Sequence, residues 1–164
     1  MSLPPDLRAR PLGPSDMTAL TELARACDET YLDWAPQGWT VPLPPPNWAE
    51  QHFQPQSWTH GAFDGPGRLL GTVAFRPADE DTTIAHLGLV FVHPSRWREG
   101  IAGALLTSAE AEMAARGYLR EQLWTPEGAP AERFYASRGW TRDGRTDWHP
   151  WVGLSMVGYS RDLP

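Results

Sequence analysis

The chain has 164 residues and a formal net charge of −6 at pH 7, and its length fits one domain over residues 1–164 that buries about two-thirds of its unfolded surface. The acidic balance argues against a nucleic-acid partner, whose binding surface is usually basic, and favours a cationic or amine substrate. A hydrophobic content of 41% without an apolar run near ~18 residues gives no reason to expect a membrane partner.

Cysteine usage and the N-terminal residues bear on the cellular compartment. Cys27 is the single cysteine, so it cannot form a disulfide within the chain. The first residues lack the basic-then-apolar pattern of a secretory signal peptide. Together these features predict a cytoplasmic protein with a reduced thiol.

The first half of the chain predicts strands and helices but contains no motif with known chemistry. Residues 8–12 predict a first strand, and Ser15 or Asp16 can cap the helix that follows. Residues 57–63 and 69–76 predict two strands, joined by a hairpin-type turn rich in glycine. This half therefore indicates an α/β architecture and no specific activity.

Tryptophan is concentrated in the same half, between residues 34 and 58. One interpretation is that these side chains cover a loop-rich flank of the sheet, because tryptophan buries a large area wherever it can. The alternative is that they form an aromatic wall of a substrate pocket, together with acidic residues nearby. The residues concerned are Trp34, Trp39, Trp48, Trp58, Asp28, Glu29 and Asp33.

The central stretch, from Leu87 to Met113, predicts a strand, a glycine-containing turn and a helix. The apolar run of the strand ends at Pro94, which lacks a backbone donor. From Ile101 onward, apolar residues recur at three- and four-residue spacing, which indicates an amphipathic helix. Gly117 follows at the position expected for the end of that helix.

The turn between this strand and helix is a candidate phosphate or pyrophosphate site. Small residues let the backbone approach a ligand, and the first turn of a helix has unpaired N–H groups at the positive end of its dipole. A connection without any ligand is the other interpretation, since short glycine motifs are weakly specific. The chain contains no lysine, which excludes a P-loop, and it has no Gly-x-Gly-x-x-Gly dinucleotide fingerprint.

After the helix, residues 118–125 predict a further strand. Because strand, helix and strand follow in close succession, we expect a crossover that makes two neighbouring strands parallel. A last strand runs through Leu154, Met156 and Tyr159. The histidines and the cysteine show no metal-ligand spacing, so no metal site is expected.

The turn after the central strand resembles the acetyl-CoA-binding motif of the GCN5-related N-acetyltransferases, the GNAT family. In that family Val-x-Pro is followed by Gln/Arg-x-x-Gly-x-Gly/Ala and a helix. Here Val92-His93-Pro94 is followed by Trp97-Arg98-Glu99-Gly100-Ile101-Ala102. The match departs at Trp97, which removes a polar side chain but leaves the backbone donors in place.

A second stretch resembles the other signature of the family, Asn-x-x-Ala-x-x-Phe/Leu-Tyr-x-x-x-Gly-Phe. The coinciding residues are Ala131, Phe134, Tyr135 and Gly139. Trp140 stands in place of Phe, and Gly128 in place of Asn, which loses a side-chain contact to the cofactor. The two signatures occur in the family's order, about 30 residues apart, and are far less probable by chance together than singly.

The resemblance implies a single N-acetyltransferase domain over residues 1–164 with the α/β GNAT fold. In this fold a mixed sheet of six or seven strands is flanked by helices and splayed between the fourth and fifth strands. Acetyl-CoA would bind in the splay as co-substrate, and no metal is implied. The implied cofactor contacts are Arg98, Glu99, Gly100, Ile101, Ala102 and Gly103 for the pyrophosphate, Val90, Phe91 and Val92 for the pantetheine arm, and Phe134.

The resemblance also implies catalytic residues. Tyr135 is the candidate general acid for the departing thiolate, since a phenol with a pKa near 10 is protonated at neutral pH. His86 and Glu121 are candidate general bases, and deprotonation through water without a dedicated base is the third alternative. His93 and His149 are expected to be solvent-facing loop residues.

The predicted activity is transfer of an acetyl group from acetyl-CoA to a primary amine, by direct attack in a ternary complex. The acceptor is a small molecule or a peptide that the sequence does not identify. Trp97 and Gly128 leave open a non-catalytic acyl-CoA-binding sensor or regulatory module, or an interaction domain that binds no CoA. Many relatives pair through the last strand, so a homodimer is considered, with residues 152–159 at its interface.

Overall fold

The computed structural model describes residues 2–164, so Met1 of the predicted domain lies outside the described residues. Within them, the chain forms seven strands and three α-helices. Short 3-10 turns precede α1, follow α1, precede β2 and follow β4. The elements are β1 Arg8–Pro11, α1 Met17–Glu29, β2 Trp58–Phe63, β3 Leu69–Pro77, β4 Ile84–Val92, α2 Ile101–Ala115, β5 Arg120–Pro126, α3 Ala131–Ser137, β6 Thr141–His149 and β7 Leu154–Asp162.

All seven strands form one mixed sheet in the order β1-β2-β3-β4-β5-β7-β6. Every neighbouring pair is antiparallel except β4 and β5, which α2 connects as a parallel crossover. This confirms the predicted α/β fold and its mixed sheet. None of the helices in residues 2–164 combines the length and the hydropathy needed to cross a membrane.

The parallel pair β4 and β5 separates soon after it forms. Only Ile84, Ala85 and His86 of β4 have partners on β5, although β4 continues to Val92 and β5 to Pro126. The predicted splay between the fourth and fifth strands is therefore confirmed. Beyond His86, this edge of β4 faces a cleft instead of a strand.

A β-bulge lies in β4 at the start of the splayed segment. Between Gly88 and Phe91, two residues of β4 oppose one residue of β3, and Leu89 has a φ of 50°. The Thr72 hydroxyl donates a hydrogen bond to the Leu89 carbonyl at 2.6 Å, which holds the bulge. Such a bulge bends the strand and redirects the backbone groups that follow it.

Two hydrophobic clusters hold helices on opposite faces of the sheet. On one face Leu20 and Leu23 of α1 pack against Leu89 of β4. On the other face α2 packs through Ile101 and Met113 against the core of the central strands. The result is three layers, with the splay opening at the middle of the sheet.

The last strand of the chain is not an edge of the sheet, because β7 pairs with β5 on one side and β6 on the other. Val157 and Tyr159 of β7 are buried. Pairing of two copies through this strand is therefore excluded by the sheet order. A homodimer would have to use another surface.

A buried ion-pair network ties β7 to β5 and α2. Arg161 of β7 donates from Nε to Glu121 Oε1 at 2.6 Å, and from Nη2 to Glu110 of α2. Its Nη1 donates to the carbonyl of Arg138, just after α3. Glu121 is fully buried, so removing Arg161 would leave a carboxylate without its compensating charge.

We expect Arg161→Met to lower the free energy of unfolding by about 3 to 5 kcal/mol, the usual cost of breaking a buried ion pair from one side. Chemical denaturation at pH 7.5 measures it. The matched control is Arg120→Met, which removes the exposed Arg120–Asp162 pair between the same two strands and changes the stability little. Equal stabilities for the two variants would contradict this assignment.

Candidate active site

The splay opens a cleft of about 450 Å³. One wall is the free edge of β4, with Val90 and Phe91, and the opposite wall is β5. The end of α1, the loop before β2 and the loop between β6 and β7 close the acceptor side. The cleft therefore lies in the splay, where the family resemblance implies that acetyl-CoA binds.

The start of α2 supplies free backbone donors in the turn that follows β4, the strand that borders the cleft. Gly100 adopts a left-handed conformation, with φ 79°, and precedes the helix without a side-chain cap. The first bond of the helix runs from the Ala104 N–H to the Gly100 carbonyl, which leaves the N–H groups of residues 101–103 unpaired within the helix. These donors and the helix dipole fit a pyrophosphate.

The other residues of this turn that were predicted to contact the cofactor differ in exposure. Arg98 and Glu99 are exposed, and Arg98 has a φ of 65°. The Ile101 side chain is 1% exposed and belongs to the core. Ile101 can therefore contribute only its backbone to a ligand, whereas Arg98 is free to contribute a guanidinium.

Trp97 has a structural role that its sequence position does not reveal. Its indole Nε1 donates to the carbonyl of Val92 at 2.8 Å, and Cys27 Sγ donates to the same oxygen at 3.3 Å. Of the three residues predicted to bind the pantetheine arm, Val90 and Phe91 line the cleft, and Val92 has its carbonyl engaged. Burial raises the pKa of the Cys27 thiol to about 12, so Cys27 is not poised as a nucleophile.

Tyr135 lies in α3 and lines the cleft, with 7% of its surface exposed. Burial raises the pKa of its phenol above the ordinary value of 10, and the negative charge of Glu121 adds to this. The hydroxyl is therefore protonated at neutral pH, as a general acid must be. Phe134 packs against the Tyr135 ring, with 5.4 Å between centroids, and is not part of the cleft wall.

The two candidate bases lie in different places. His86 lines the cleft, with Nδ1 3.4 Å from Gln122 Nε2. Burial, reinforced by the positive charges of Arg76 and Arg145, lowers the pKa of His86 to about 4. Glu121 lies outside the cleft in the ion-pair network, where burial raises its pKa to about 7. The structure thus brings His86, and not Glu121, to the same cavity as Tyr135.

The acceptor-pocket residues predicted from position fall into two groups. Asp28 and Trp48 line the cleft, and burial raises the pKa of Asp28 to about 6. Trp39 donates from Nε1 to the Val152 carbonyl at 2.8 Å, and Trp58 stacks on His60. The residues that do not line the cleft are Glu29, Asp33, Trp34, Trp39 and Trp58. Most of the tryptophans therefore cover the flank of the sheet.

Sequence reasoning missed the contribution of the end of β6 and of the loop that follows it. Trp148, His149 and Trp151 line the cleft, and Trp151 meets Trp48 edge to face at 6.2 Å. His149 ends β6 and packs against Trp151, so its expected place in a solvent-facing loop is wrong. The only signal was the density of aromatic residues in Trp148-His149-Pro150-Trp151.

His52 and Arg76 also line the cleft and were not singled out from the sequence. His52 follows the proline-rich segment, and its ring lies over Gly88, where a Cβ would come within 2.8 Å of its Cε1. Arg76 is the cross-strand partner of His86. Within residues 2–164, no group of three or more His, Cys, Asp or Glu side chains is arranged to hold a metal ion.

Comparison with known proteins gives a family and a fold. The model of the acetyltransferase (GNAT) family matches residues 17–140. Among solved structures, an acetyltransferase of the GNAT family from Staphylococcus aureus Mu50 is similar with a TM-score of 0.76 and 16% identity, over 96% of this chain and 99% of that chain. No curated protein matches the chain in sequence.

Two further structures show the same fold. PaiA N-acetyltransferase from Thermoplasma acidophilum, solved in complex with coenzyme A, has a TM-score of 0.69 and 18% identity, over 95% of this chain and 98% of that chain. The ribosomal-protein-S18-alanine N-acetyltransferase from Escherichia coli has a TM-score of 0.69 and 17% identity, over 96% and 94%. At these identities the likeness concerns the fold.

The buried histidines predict a specific acid sensitivity. Burial, with the charge of Arg76, lowers the pKa of both His52 and His86 to about 4 from an ordinary value of 6.5. Between pH 6.5 and 4 the unfolded chain therefore binds protons that the folded chain does not, so stability falls as the pH falls through this window. Above pH 6.5 the contribution is fully present.

We expect His52→Gln to flatten the fall in unfolding free energy between pH 7.5 and 5, measured by urea denaturation at several pH values. His93→Gln, in the turn after β4, is the control and keeps the slope of the parent protein. A slope that is the same for the parent and His52→Gln would contradict the assignment.

Proposed function

The chain belongs to the acetyltransferase (GNAT) family, and from this premise we propose that it transfers an acetyl group from acetyl-CoA to a primary amine. The proposed unit is a single domain over residues 1–164. The observation that carries the proposal is the cleft between β4 and β5, with Tyr135 in its wall, together with the free helix donors in the turn that follows β4.

The residues present fit acetyl-CoA. The unpaired N–H groups of residues 101–103 would hold the pyrophosphate, with Arg98 beside them. The free edge of β4 at Val90 and Phe91 would hold the pantetheine arm in the way that an added strand is held. When bound, acetyl-CoA supplies the acetyl group as a thioester with a thiolate leaving group.

The β4 bulge supplies the group that would polarise the thioester. Because Leu89 is turned to positive φ, the backbone after it is redirected toward the cleft. A backbone N–H of Val90 or Phe91 aimed at the developing oxyanion would stabilise it by a few kcal/mol, about the value of one oxyanion-hole donor.

Tyr135 and His86 divide the proton transfers. The Tyr135 hydroxyl would give its proton to the departing thiolate, since burial keeps the phenol protonated. His86 is neutral at pH 7 and would receive the proton of the attacking ammonium. Because its pKa is lowered to about 4, His86 is a weak base for an ammonium, and deprotonation through water without a dedicated base stays the alternative.

A second candidate function is a non-catalytic acyl-CoA-binding module. The observation that favours it is the Val92 carbonyl, which Trp97 and Cys27 already occupy. This contact removes one acceptor from the edge of β4 that would anchor the pantetheine arm. Cytoplasmic location and a homodimer stay predictions under either function.

The proposal is tested by release of free thiol from acetyl-CoA with a panel of amines. We expect Tyr135→Phe to lower kcat by roughly 10²-fold or more, because it removes the general acid and little of the ring packing. Tyr118→Phe is the control, since Tyr118 packs on Phe75 outside the cleft and its loss leaves turnover intact.

Three outcomes would change the assignment. Undiminished turnover in Tyr135→Phe would remove Tyr135 from the mechanism while leaving the activity. Thermal stabilisation by acetyl-CoA without turnover on any amine would favour the binding module. If acetyl-CoA neither stabilises the protein nor is turned over with any amine, a plain interaction domain would be favoured.

A further inference from the structure

Arg76 is a partly buried cation in the cleft, and its carboxylate partner, Asp79, is exposed to solvent. It extends from β3 beside His86, and 15% of its side chain is exposed. Nη1 donates to the Pro77 carbonyl at 3.1 Å and to Asp79 at 2.9 Å. The Asp79 side chain is 84% exposed, so water screens this pair strongly. The remaining edge of the guanidinium, with a buried Nε, has no partner among residues 2–164.

His52 lies next to Arg76 with the same deficit. It is 6% exposed, lines the cleft, and its Nδ1 has no partner among the described residues. Buried polar groups in proteins are nearly always hydrogen-bonded, and those that are not call for a physical explanation. Two such groups together indicate a place where a polar part of a ligand binds.

Both acidic side chains and arginines surround the cleft. Acidic groups line several sides, namely Asp28, Asp79, Glu80 and Asp147, and can attract an ammonium. The other arginine of the wall, Arg25, is half-exposed and lies 3.6 Å from Glu29. Arg145, outside the wall, is held by Asp143 and by the carbonyl of Leu123. Of the two arginines in the wall, Arg76 is therefore the more buried, and its buried Nε is left without a partner among residues 2–164 and open to an anionic group.

From this arrangement we infer that the acceptor is an amino carboxylate, whose amine is acetylated and whose carboxylate binds Arg76. The inference rests on the proposed acetyltransferase function and specifies its substrate class. A guanidinium binds a carboxylate through two parallel N–H donors, which gives orientation as well as affinity. The carboxylate at Arg76 would place the substrate next to His86, the cross-strand neighbour of Arg76.

The aromatic side chains set the other part of the pocket. Trp48 and Trp151 meet edge to face above the cleft, and Trp148 stands at its mouth with 59% exposure. These rings offer an apolar surface to the rest of the acceptor. An amino acid with an apolar or aromatic side chain fits all three features of the cleft. The acidic groups attract its ammonium, Arg76 binds its carboxylate, and the tryptophan rings contact its side chain.

The test compares matched acceptors with the wild-type protein and acetyl-CoA. The panel contains the protein amino acids, β-alanine and γ-aminobutyrate, each beside its amide and beside the amine that lacks the carboxylate. We expect kcat/KM to be about 10- to 100-fold higher for an amino carboxylate than for its amide, the value of a charge-assisted hydrogen-bonded pair. Equal rates for the acid, amide and amine would overturn the inference.

Variants at Arg76 assign the preference to this residue. Arg76→Gln should raise KM for the amino carboxylate about 10- to 100-fold and leave KM for the matched amine unchanged, and Arg76→Lys should restore part of the difference. Thermal stabilisation by acetyl-CoA shows that each variant is folded. If Arg25→Gln abolishes the preference and Arg76→Gln does not, the inference is wrong.

The outcomes separate this inference from the function on which it rests. Acetylation of polyamines or peptide N-termini, with no amino carboxylate acetylated, would overturn the substrate class and leave the acetyltransferase in place. Binding of acetyl-CoA without acetylation of any acceptor would overturn both. Stabilisation of the CoA-bound protein by an amino carboxylate, lost in Arg76→Gln, would support the site independently of turnover.

Discussion

The early separation of β4 from β5 is the constraint on which the rest of this structure depends. A parallel pair in the middle of a sheet would normally continue its ladder, but here it ends at His86. The backbone edge released in this way borders the cleft, and its polar groups have no partner on β5. A ligand that pairs with this edge gains hydrogen bonds that the fold itself leaves unmade.

Several features keep the two strands apart beyond the point of separation. The bulge at Leu89 bends β4 and is held by Thr72 from β3. On the other side, β5 pairs with β7 along its whole length, and Arg161 joins β7 to Glu121 and α2 beneath the sheet. The cleft is therefore part of the folded architecture and does not depend on a mobile segment.

Burial sets the charge state of the groups in the cleft. It keeps the Tyr135 phenol protonated and the imidazoles of His52 and His86 neutral. The fixed charges that remain are those of arginine and of ionised carboxylates, among them the Arg76–Asp79 pair. Desolvation thus gives one cavity a protonated donor, Tyr135, and a neutral proton acceptor, His86, beside a site for an anion at Arg76.

The sequence was sufficient for the parts of the site that are formed by contiguous residues. The turn from Val92 to Gly103 and the segment around Tyr135 each lie on one local motif. The apolar spacing predicted the strand and the helix start, and the family resemblance implied the role of Tyr135. The acceptor side of the cleft could not be predicted from the sequence, because Arg76, His52 and Trp151 come from three distant elements. Their proximity depends on the sheet register and on the paths of the loops. The hydrogen bond from Trp97 to the Val92 carbonyl could not be predicted either, because residue spacing does not indicate it.

Hydrogen–deuterium exchange with and without acetyl-CoA tests most directly whether the splay holds the cofactor. The account predicts slower exchange in peptides that cover residues 87–92 and 98–103, since these backbone groups gain partners. Peptides over the β2–β3 turn at residues 64–68 should exchange equally in both states. Protection elsewhere, with residues 87–92 and 98–103 unchanged, would contradict the central claim.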